Sequence, residues 1–239
     1  IRYLTVTGEA GPEADPSPYL GTTWYRQQQT QNKHVPALLD YIQHGAAKGL
    51  SPHPLLDARF IAAAMAPGVA PLDAVIAYID QKLTAQSGLN PHPLFSWSYY
   101  LANNPDVVAS GAEPLSHYLK GGWREGRKPH PLFDPAGYMR LQPDIDASGQ
   151  EPLTHYVSSG AAEGRQPSDY FDPAWYAHTS GSNGGLLDYL SGGWRTGASP
   201  HPLFDTAFYL ASNPDVAAAG IDPLTHYVAD GWRQHRAPH

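Results

Sequence analysis

The sequence predicts an all-α protein, a helical repeat solenoid of short helices with about six units of roughly 38 residues. The first observation behind this is a long self-similarity between residues 91–130 and residues 200–239. The first segment reads PHPLFSWSYYLANNPDVVASGAEPLSHYLKGGWREGRKPH and the second PHPLFDTAFYLASNPDVAAAGIDPLTHYVADGWRQHRAPH. The second observation is that proline and glycine recur at fixed offsets where short helices start and end. Such a period is typical of stacked units that bury their apolar faces against one another.

Each repeat is marked by its first proline. Residues 1–15 are predicted to be a lead-in segment, with a short β-type alternation followed by a loop, and residues 16–239 to be the repeat array. The fifth repeat spans only 33 residues because it lacks the Asn-Pro-Asp-Val region, and residues 59–88 also depart from the pattern. The predicted repeats 1 to 6 begin at Pro16, Pro52, Pro91, Pro129, Pro167 and Pro200, and Pro238 opens a seventh copy.

The first helix of each repeat has start and stop signals. An aspartate predicted as N-cap opens it, followed in two copies by a proline whose missing N–H does no harm at the first helical position. The helix is expected to end after about two turns, because a residue before proline is disfavoured in the α conformation. The predicted caps are Asp134, Asp172 and Asp205, and the predicted stops are Asn104-Pro105, Gln142-Pro143 and Asn213-Pro214.

Two further helical pieces complete the predicted repeat. A short Pro-Asp-Val piece is expected to be closed by glycine (Gly111, Gly149 or Gly220). A third piece starts at the proline of a Pro-Leu-x-His-Tyr motif, at Pro114, Pro152 or Pro223. The expected repeat therefore has two main short helices and a helical connector, with almost no strand after the first few residues.

Composition excludes several classes of protein. A net charge of −7 argues against a nucleic-acid binder, which needs a basic surface. The chain has no cysteine, so disulfides and thiolate metal sites are excluded, and it has no run of 18 apolar residues that could span a membrane. The first residues lack a methionine and a signal-peptide layout, which suggests a piece of a longer protein. We expect the bacterial cell envelope or a secreted location rather than the cytoplasm.

The periodic histidines admit two interpretations. Four lie between two prolines and three precede tyrosine, so a ladder of metal sites is one hypothesis. However, ligand nitrogens must meet within roughly 2 Å of one ion, and equivalent positions in a solenoid lie a repeat apart. We therefore favour a structural role, in which the imidazole bonds a backbone carbonyl or caps a helix, and predict neither metal nor cofactor. The two sets are His53, His92, His130 and His201, and His117, His155 and His226.

The carboxylates and the motif search argue against catalysis. Residues 144–149 resemble half of a calcium-binding EF-hand loop, but the closing glutamate is not at the required position. Helix-start chemistry explains these aspartates better. The chain has no nucleophile elbow and no phosphate-binding glycine loop, and its notable residues recur from copy to copy, whereas active sites are singular. The chain is predicted not to be an enzyme.

The Gly-Trp-Arg motif supplies the candidate contact residues. Its tryptophans could stack on sugar rings or on partner side chains, with the arginines beside them. The competing interpretation is that these rings, with Tyr118, Tyr156, Tyr189 and Tyr227, form the core between repeats. We expect partial exposure of these tryptophans because alanine replaces them in two copies. The candidates for ligand or partner contact are Trp123, Trp194, Trp232, Arg124, Arg195 and Arg233.

The consensus PHPLFD-x-x-YYL-x-x-NPDV-x-x-x-G-x-x-PL-x-HY-x-x-x-GWREGR resembles a bacterial repeat found beside glycosyltransferase domains of polysaccharide-synthesis proteins. A similar motif occurs in large secreted proteins with hemolysin-type calcium repeats. The resemblance covers residues 16–239 and is tightest at 91–166 and 200–239. It implies an accessory module that accompanies an enzyme domain, so it implies no catalytic residues here.

These observations predict a non-enzymatic repeat scaffold that binds or positions a partner within a larger bacterial protein or assembly. One alternative is a carbohydrate-binding accessory module of a glycosyltransferase or an adhesin. Another is a structural repeat of a cell-surface layer or filament, which requires end-to-end contacts between chains. The expected partner is a protein or a second copy of the chain, with carbohydrate as the alternative and nucleic acid excluded.

Overall fold

A computed structural model describes residues 15, 17–28, 35–80 and 88–239. The chain divides into two compact parts, Ile1–Gly122 and Trp123–His239, here called the N-terminal half and the C-terminal half. In the described residues every regular element is a helix and β-bridges occur only singly, which confirms the predicted all-α repeat class. The predicted β-type alternation near the start lies outside the described residues.

The N-terminal half contains seven described α-helices. Two of them continue directly into a π-helical turn, α2 into Tyr41–Gly45 and α7 into Tyr118–Gly122. They are α1 Thr22–Gln27, α2 Ala37–Asp40, α3 Ala58–Met65, α4 Pro71–Asp80, α5 Trp97–Asn103, α6 Pro105–Ser110 and α7 Pro114–His117.

The C-terminal half contains eight α-helices. Again the π-helical turns follow short α-helices: Tyr156–Gly160 follows α10 and Tyr227–Gly231 follows α15, while a 3₁₀ turn, Gly193–Thr196, comes after α12. No described helix in either half is long and apolar enough to cross a membrane. The eight are α8 Pro135–Leu141, α9 Pro143–Ser148, α10 Pro152–His155, α11 Pro173–Ser180, α12 Gly185–Leu190, α13 Thr206–Ser212, α14 Pro214–Ala219 and α15 Pro223–His226.

A complete repeat thus has three short helices, called here the first, second and third helix. The predicted aspartate caps are confirmed: Asp134 accepts from Gly137 N at 3.1 Å, and Asp172 from Trp175 N at 2.9 Å. The first helices α5, α8 and α13 end where the X-Pro steps predict, and the proline of each step begins the second helix. The second helices are closed in the left-handed conformation by the predicted glycines.

The third helix has a cap that the sequence analysis missed. Glu113 accepts hydrogen bonds from Leu115 N at 3.0 Å and Ser116 N at 2.6 Å, and Glu151 does the same for α10. Asp222 caps α15 through Thr225 N at 2.8 Å. The acidic residue before each Pro-Leu therefore accepts hydrogen bonds from backbone N–H groups of the first turn that have no acceptor within the helix.

At four repeat boundaries a backbone hydrogen bond joins one repeat to the next. The donor is the backbone N–H of the N-cap residue of a repeat's first helix. The acceptor is the carbonyl oxygen of the proline with which the next repeat begins. In repeat 6, Asp205 N donates to the carbonyl oxygen of Pro238 at 2.9 Å. The same link joins Gly21 to Pro52 at 3.0 Å, Asp57 to Pro91 at 2.8 Å and Asp172 to Pro200 at 2.9 Å.

The core of repeats 3 to 6 is an aromatic triplet. In repeat 4, Phe133, Tyr138 and Tyr156 are fully buried, with ring centroids 5.4 to 5.8 Å apart. The two tyrosine rings meet edge to face, the geometry that aromatic pairs prefer. The core interpretation is thereby confirmed for the third-helix tyrosines of repeats 3, 4 and 5, whereas Tyr227 of repeat 6 is only half-buried. Equivalent triplets are Phe95, Tyr100 and Tyr118; Phe171, Tyr176 and Tyr189; and Phe204, Tyr209 and Tyr227.

Candidate functional site

The histidines between two prolines close a tight turn. Nδ1 of His92 accepts a hydrogen bond from Leu94 N at 3.1 Å, and the carbonyl of His92 accepts from Phe95 N at 2.9 Å. In repeat 5, Ser168 replaces histidine and its hydroxyl accepts from Tyr170 N at 3.4 Å. The predicted structural role is supported, with one correction: the imidazole accepts from an N–H rather than donating to a carbonyl. The equivalent bonds are His53 to Leu55 at 3.0 Å, His130 to Leu132 at 3.2 Å and His201 to Leu203 at 3.1 Å.

Burial keeps two of these histidines neutral. It lowers the pKa of His53 to about 4, and it lowers the pKa of His92 to about 3 with a further contribution from neighbouring His53. A neutral ring is what the turn requires, because Nδ1 must carry a lone pair to accept the backbone N–H. These residues therefore stabilise the PHPLF turn and have their Nδ1 atoms already engaged.

The second set of histidines bonds a tyrosine hydroxyl. Nδ1 of His155 lies 3.0 Å from the hydroxyl of Tyr138, so the bond joins the third helix of repeat 4 to its first helix. In repeat 5 the position of His155 is taken by Asp188, which accepts from Tyr176 at 2.7 Å. The signal for this pair in the sequence is a tyrosine 17 residues before the histidine. The remaining pairs are His117 with Tyr100 at 2.9 Å, His226 with Tyr209 at 2.8 Å, and Asp40 with Tyr25 at 2.6 Å.

A glycine at the end of the third helix makes room for that hydroxyl. A Cβ added at Gly160 would overlap the Tyr138 hydroxyl oxygen, and the equivalent glycine of each full repeat meets its own tyrosine in the same way. The π-helical turn ends at this glycine, so the wider turn and the missing side chain together accommodate the phenol. π-turns often mark functional sites, but here the turn has a packing role.

The carboxylates likewise have partners within the fold. Asp144, from the EF-hand-like segment, is ion-paired with Arg165 at 2.8 Å, and Asp215 is paired with Arg236 at 2.8 Å. Hydrogen bonding by Arg236 lowers the pKa of Asp215 to about 2. In the described residues no group of three or more His, Cys, Asp or Glu is placed to hold a metal ion. The last arginine of the GWREGR motif therefore serves to hold the start of the second helix.

The three Gly-Trp-Arg tryptophans differ in exposure. Trp123 and Trp194 are buried, with 6% and 7% of their surface exposed, whereas Trp232 is 53% exposed. The expected partial exposure is therefore found only at Trp232 and is wrong for the other two. In all three the next arginine stacks over the indole ring, with the guanidinium carbon of Arg124, Arg195 or Arg233 at 4.2, 4.3 or 4.9 Å from its centroid. These arginines are themselves exposed.

The C-terminal half also has an apolar pocket of about 300 Å³, called here the C-terminal pocket. Tyr170, Leu203, Leu224 and Tyr227 line it, together with Phe204 and neighbouring polar residues. Leu203 is 66% exposed and Tyr170 is 43% exposed. The leucines at the same position of repeats 2, 3 and 4 are completely buried, so repeats 5 and 6 differ from the others at this point. Those buried leucines are Leu55, Leu94 and Leu132.

Comparisons with protein-family models, with curated proteins and with solved structures found no match to this chain. The resemblance to repeats beside glycosyltransferase domains stays a prediction. What the structure shows is an all-α repeat whose recurrent histidines and capping acids have structural partners, and whose exposed aromatic and cationic groups remain accessible.

Proposed function

We propose that this chain is a repeat scaffold that binds a protein partner through the exposed Trp232 and Arg233. The observation that carries the proposal is the contrast between two kinds of recurrent residue. The histidines and the capping acids make internal hydrogen bonds. The Gly-Trp-Arg arginines stay exposed, although Arg233 also donates to the Ala229 carbonyl at 2.7 Å, and the Trp232 ring is exposed too. The proposal involves no chemical step.

The exposed pair has the chemistry of an interface anchor. Trp and Arg are enriched among the residues that dominate binding energies, because the indole buries a large planar surface and the guanidinium is planar and carries several hydrogen-bond donors. The Arg233 guanidinium already lies 4.9 Å from the Trp232 ring centroid, so the two side chains present one preorganised surface. A carboxylate-rich partner surface complements the arginine, and an apolar patch complements the indole.

A carbohydrate ligand is the second candidate, favoured by the number of exposed rings in the C-terminal half. Trp175 is 38% exposed and Phe208 is 42% exposed, in addition to Trp232 and Tyr170. Exposed aromatic faces stack on the apolar faces of sugar rings. This interpretation agrees with the resemblance to polysaccharide-synthesis proteins.

A photo-crosslinking experiment in the native host tests the protein-partner proposal. A photoreactive phenylalanine analogue replaces Trp232 in one variant and Val108, 47% exposed in the N-terminal half, in a matched control. We expect a discrete protein adduct from position 232 that is absent from position 108. Adducts at neither position, or equal adducts at both, contradict the proposal. A glycan array distinguishes the carbohydrate candidate from the protein partner. Glycan binding by the wild type that disappears in Trp232→Ala favours a carbohydrate ligand.

A further inference from the structure

Repeat 5 has a short loop where the other full repeats have their second helix. Its first helix, α11, ends at Ser180 and its third helix, α12, begins at Gly185, so residues 181–184 connect the two without regular structure. Asn183 and Gly184 in this loop are exposed to solvent. Segments with few buried contacts open locally at little cost in free energy. The loop backbone can therefore rearrange while the helices on either side stay folded.

The loop contains the one Asn-Gly step of the sequence, Asn183-Gly184. The side-chain amide carbon of an asparagine lies within reach of the backbone nitrogen of the next residue, and a bond between them closes a small ring, a succinimide. Glycine in the second position favours this bond because it has no Cβ to obstruct the approach and adopts a wide range of backbone angles. The Asn183 side chain makes no hydrogen bond within the part of the chain that the structure describes, so it can turn toward that nitrogen.

The backbone nitrogen of Gly184 is held only by its own loop. Its N–H donates to Oγ of Ser182 at 3.2 Å, whereas an N–H inside a helix donates to a carbonyl of the preceding turn. Breaking this single bond to a hydroxyl frees the nitrogen without opening a helical turn. The nucleophile and the amide carbon are therefore both available in the folded chain.

The other described asparagines are protected by their neighbours. Asn103 is the last residue of α5, and its side-chain amide donates to the carbonyl of Tyr99 at 2.8 Å. The N–H that follows it, that of Asn104, donates to the carbonyl of Leu101 at 3.2 Å. The remaining three precede proline, whose nitrogen has no hydrogen to lose; they are Asn90, Asn104 and Asn213. The chain thus contains its own internal controls.

Gly184 also connects the loop to the core of repeat 5. A Cβ added at Gly184 would overlap Cβ of Asp188, so the backbone of Gly184 packs directly against that side chain. Asp188 is the residue that accepts from the buried Tyr176 hydroxyl at 2.7 Å. A change in backbone length just before Gly184 is therefore transmitted to the hydrogen bond between the first and third helices.

We propose that Asn183 and Gly184 form a self-modification site, at which the folded chain converts Asn183 into isoaspartate and aspartate and thereby loosens repeat 5. The Gly184 nitrogen bonds to Cγ of Asn183, the Cγ–Nδ2 bond breaks, and the amide nitrogen leaves as ammonia with the proton from Gly184. Water then adds to one of the two ring carbonyls and breaks its bond to the Gly184 nitrogen, which takes up a proton. Addition at the backbone carbonyl gives isoaspartate, whose backbone is one carbon longer. The modification requires no partner at Trp232.

Incubation of the full chain in mildly alkaline buffer, followed by tandem mass spectrometry of its peptides, tests the site. We expect the amide-to-acid mass increase to accumulate at Asn183 and not at Asn103, and its rate to rise with pH because hydroxide removes the Gly184 proton. Asn183→Gln, which needs a larger ring, is expected to abolish it. A synthetic peptide of residues 180–187 gives the rate without the fold, and the folded chain is expected within about 10-fold of it. Asn183 that stays unmodified while the peptide converts, or equal conversion at Asn103, overturns the proposal.

Thermal unfolding tests the effect on repeat 5. Incubated wild type is expected to have a lower Tm than fresh protein, whereas incubated Asn183→Gln keeps its Tm. Fresh Asn183→Asp adds the charge without lengthening the backbone and is expected to unfold like the wild type. An unchanged Tm in fully converted protein, or an equal decrease in fresh Asn183→Asp, would show that the longer backbone does not act through Asp188.

Discussion

The hydroxyl oxygen of Tyr138 lies 3.0 Å from Nδ1 of His155, and this bond ties the first helix of repeat 4 to its third. Repeat 5 keeps the tyrosine but replaces the histidine by Asp188. What the array preserves at this position is therefore an acceptor for a buried phenol rather than an imidazole. The hydrogen bond to tyrosine accounts for the recurrence of this histidine, so no bound ligand is needed to explain it. The replacement by aspartate in repeat 5 suggests a direct experiment.

His155→Asp is expected to leave the free energy of unfolding close to the wild-type value, because a carboxylate accepts from tyrosine in repeats 1 and 5. His155→Leu leaves the Tyr138 hydroxyl without its acceptor and is expected to cost about 1–3 kcal/mol. Urea denaturation measures both. Equal losses in the two variants would show that the imidazole itself is required.

Two adjacent glycines provide a matched pair. A Cβ at Gly122 overlaps the Tyr100 hydroxyl and lies 3.1 Å from Nδ1 of His117, whereas a Cβ at Gly121 has no atom within 4 Å. We expect Gly122→Ala to lower the free energy of unfolding by about 1–3 kcal/mol. Gly121→Ala is expected to be neutral or to stabilise by up to about 1 kcal/mol, since alanine favours helix. A similar loss in both variants would contradict the close contact.

Stability is expected to fall in acid because of the buried histidines. Burial lowers the pKa of His92 from 6.5 to about 3, so below pH 6.5 the unfolded chain binds a proton that the folded chain excludes. The free energy of unfolding then drops by about 1.4 kcal/mol per pH unit for this residue until the pH nears the folded pKa. His92→Ser, which copies Ser168, is expected to flatten the profile between pH 6 and 4. His178→Ser at an exposed position is the control, and equal flattening in both variants contradicts the assignment.

Replacing the Gly-Trp-Arg tryptophan is expected to affect protein stability in repeat 5 and partner binding in repeat 6. Trp194→Ala removes a ring that is 7% exposed and should cost about 3–5 kcal/mol. Trp232→Ala removes a ring that is 53% exposed and should cost much less while weakening partner capture. Thermal unfolding measures the loss of stability, and co-purification of the partner identified by crosslinking measures the loss of binding. A large loss of stability at Trp232 would identify it as core instead.

The sequence predicts the features of this fold that depend on neighbouring residues. The cap at Asp134, the helix end before Pro143 and the left-handed Gly149 all follow from backbone preferences of a few adjacent residues. The acidic cap at Glu151 has an equally local signal, but glutamate is an uncommon N-cap and was not recognised. The π-helical turn was not predictable in this way: repeat 5, where a Cβ at Gly193 would meet the Tyr176 hydroxyl just as in the other repeats, has a 3₁₀ turn instead.

Exposure of the candidate contacts could not be read from local sequence. Residues 121–124 and 192–195 both read GGWR, and residues 230–233 read DGWR, yet the tryptophan is buried in the first two and exposed in the third. The difference depends on what lies against each ring in the folded chain. The tyrosine–histidine pairs were missed for the same reason, since their members are 17 residues apart.

At four repeat boundaries the joint is made by a backbone amide and a carbonyl oxygen, as between Asp205 and Pro238. No particular side chain is needed at the donor, and repeat 1 makes the joint with Gly21. A copy can therefore shorten between its cap and the following proline, as repeat 5 has, and still close onto its neighbour. The prolines are thus natural cassette boundaries, at which whole copies can be duplicated, excised or exchanged during evolution or in engineering without rebuilding the connection.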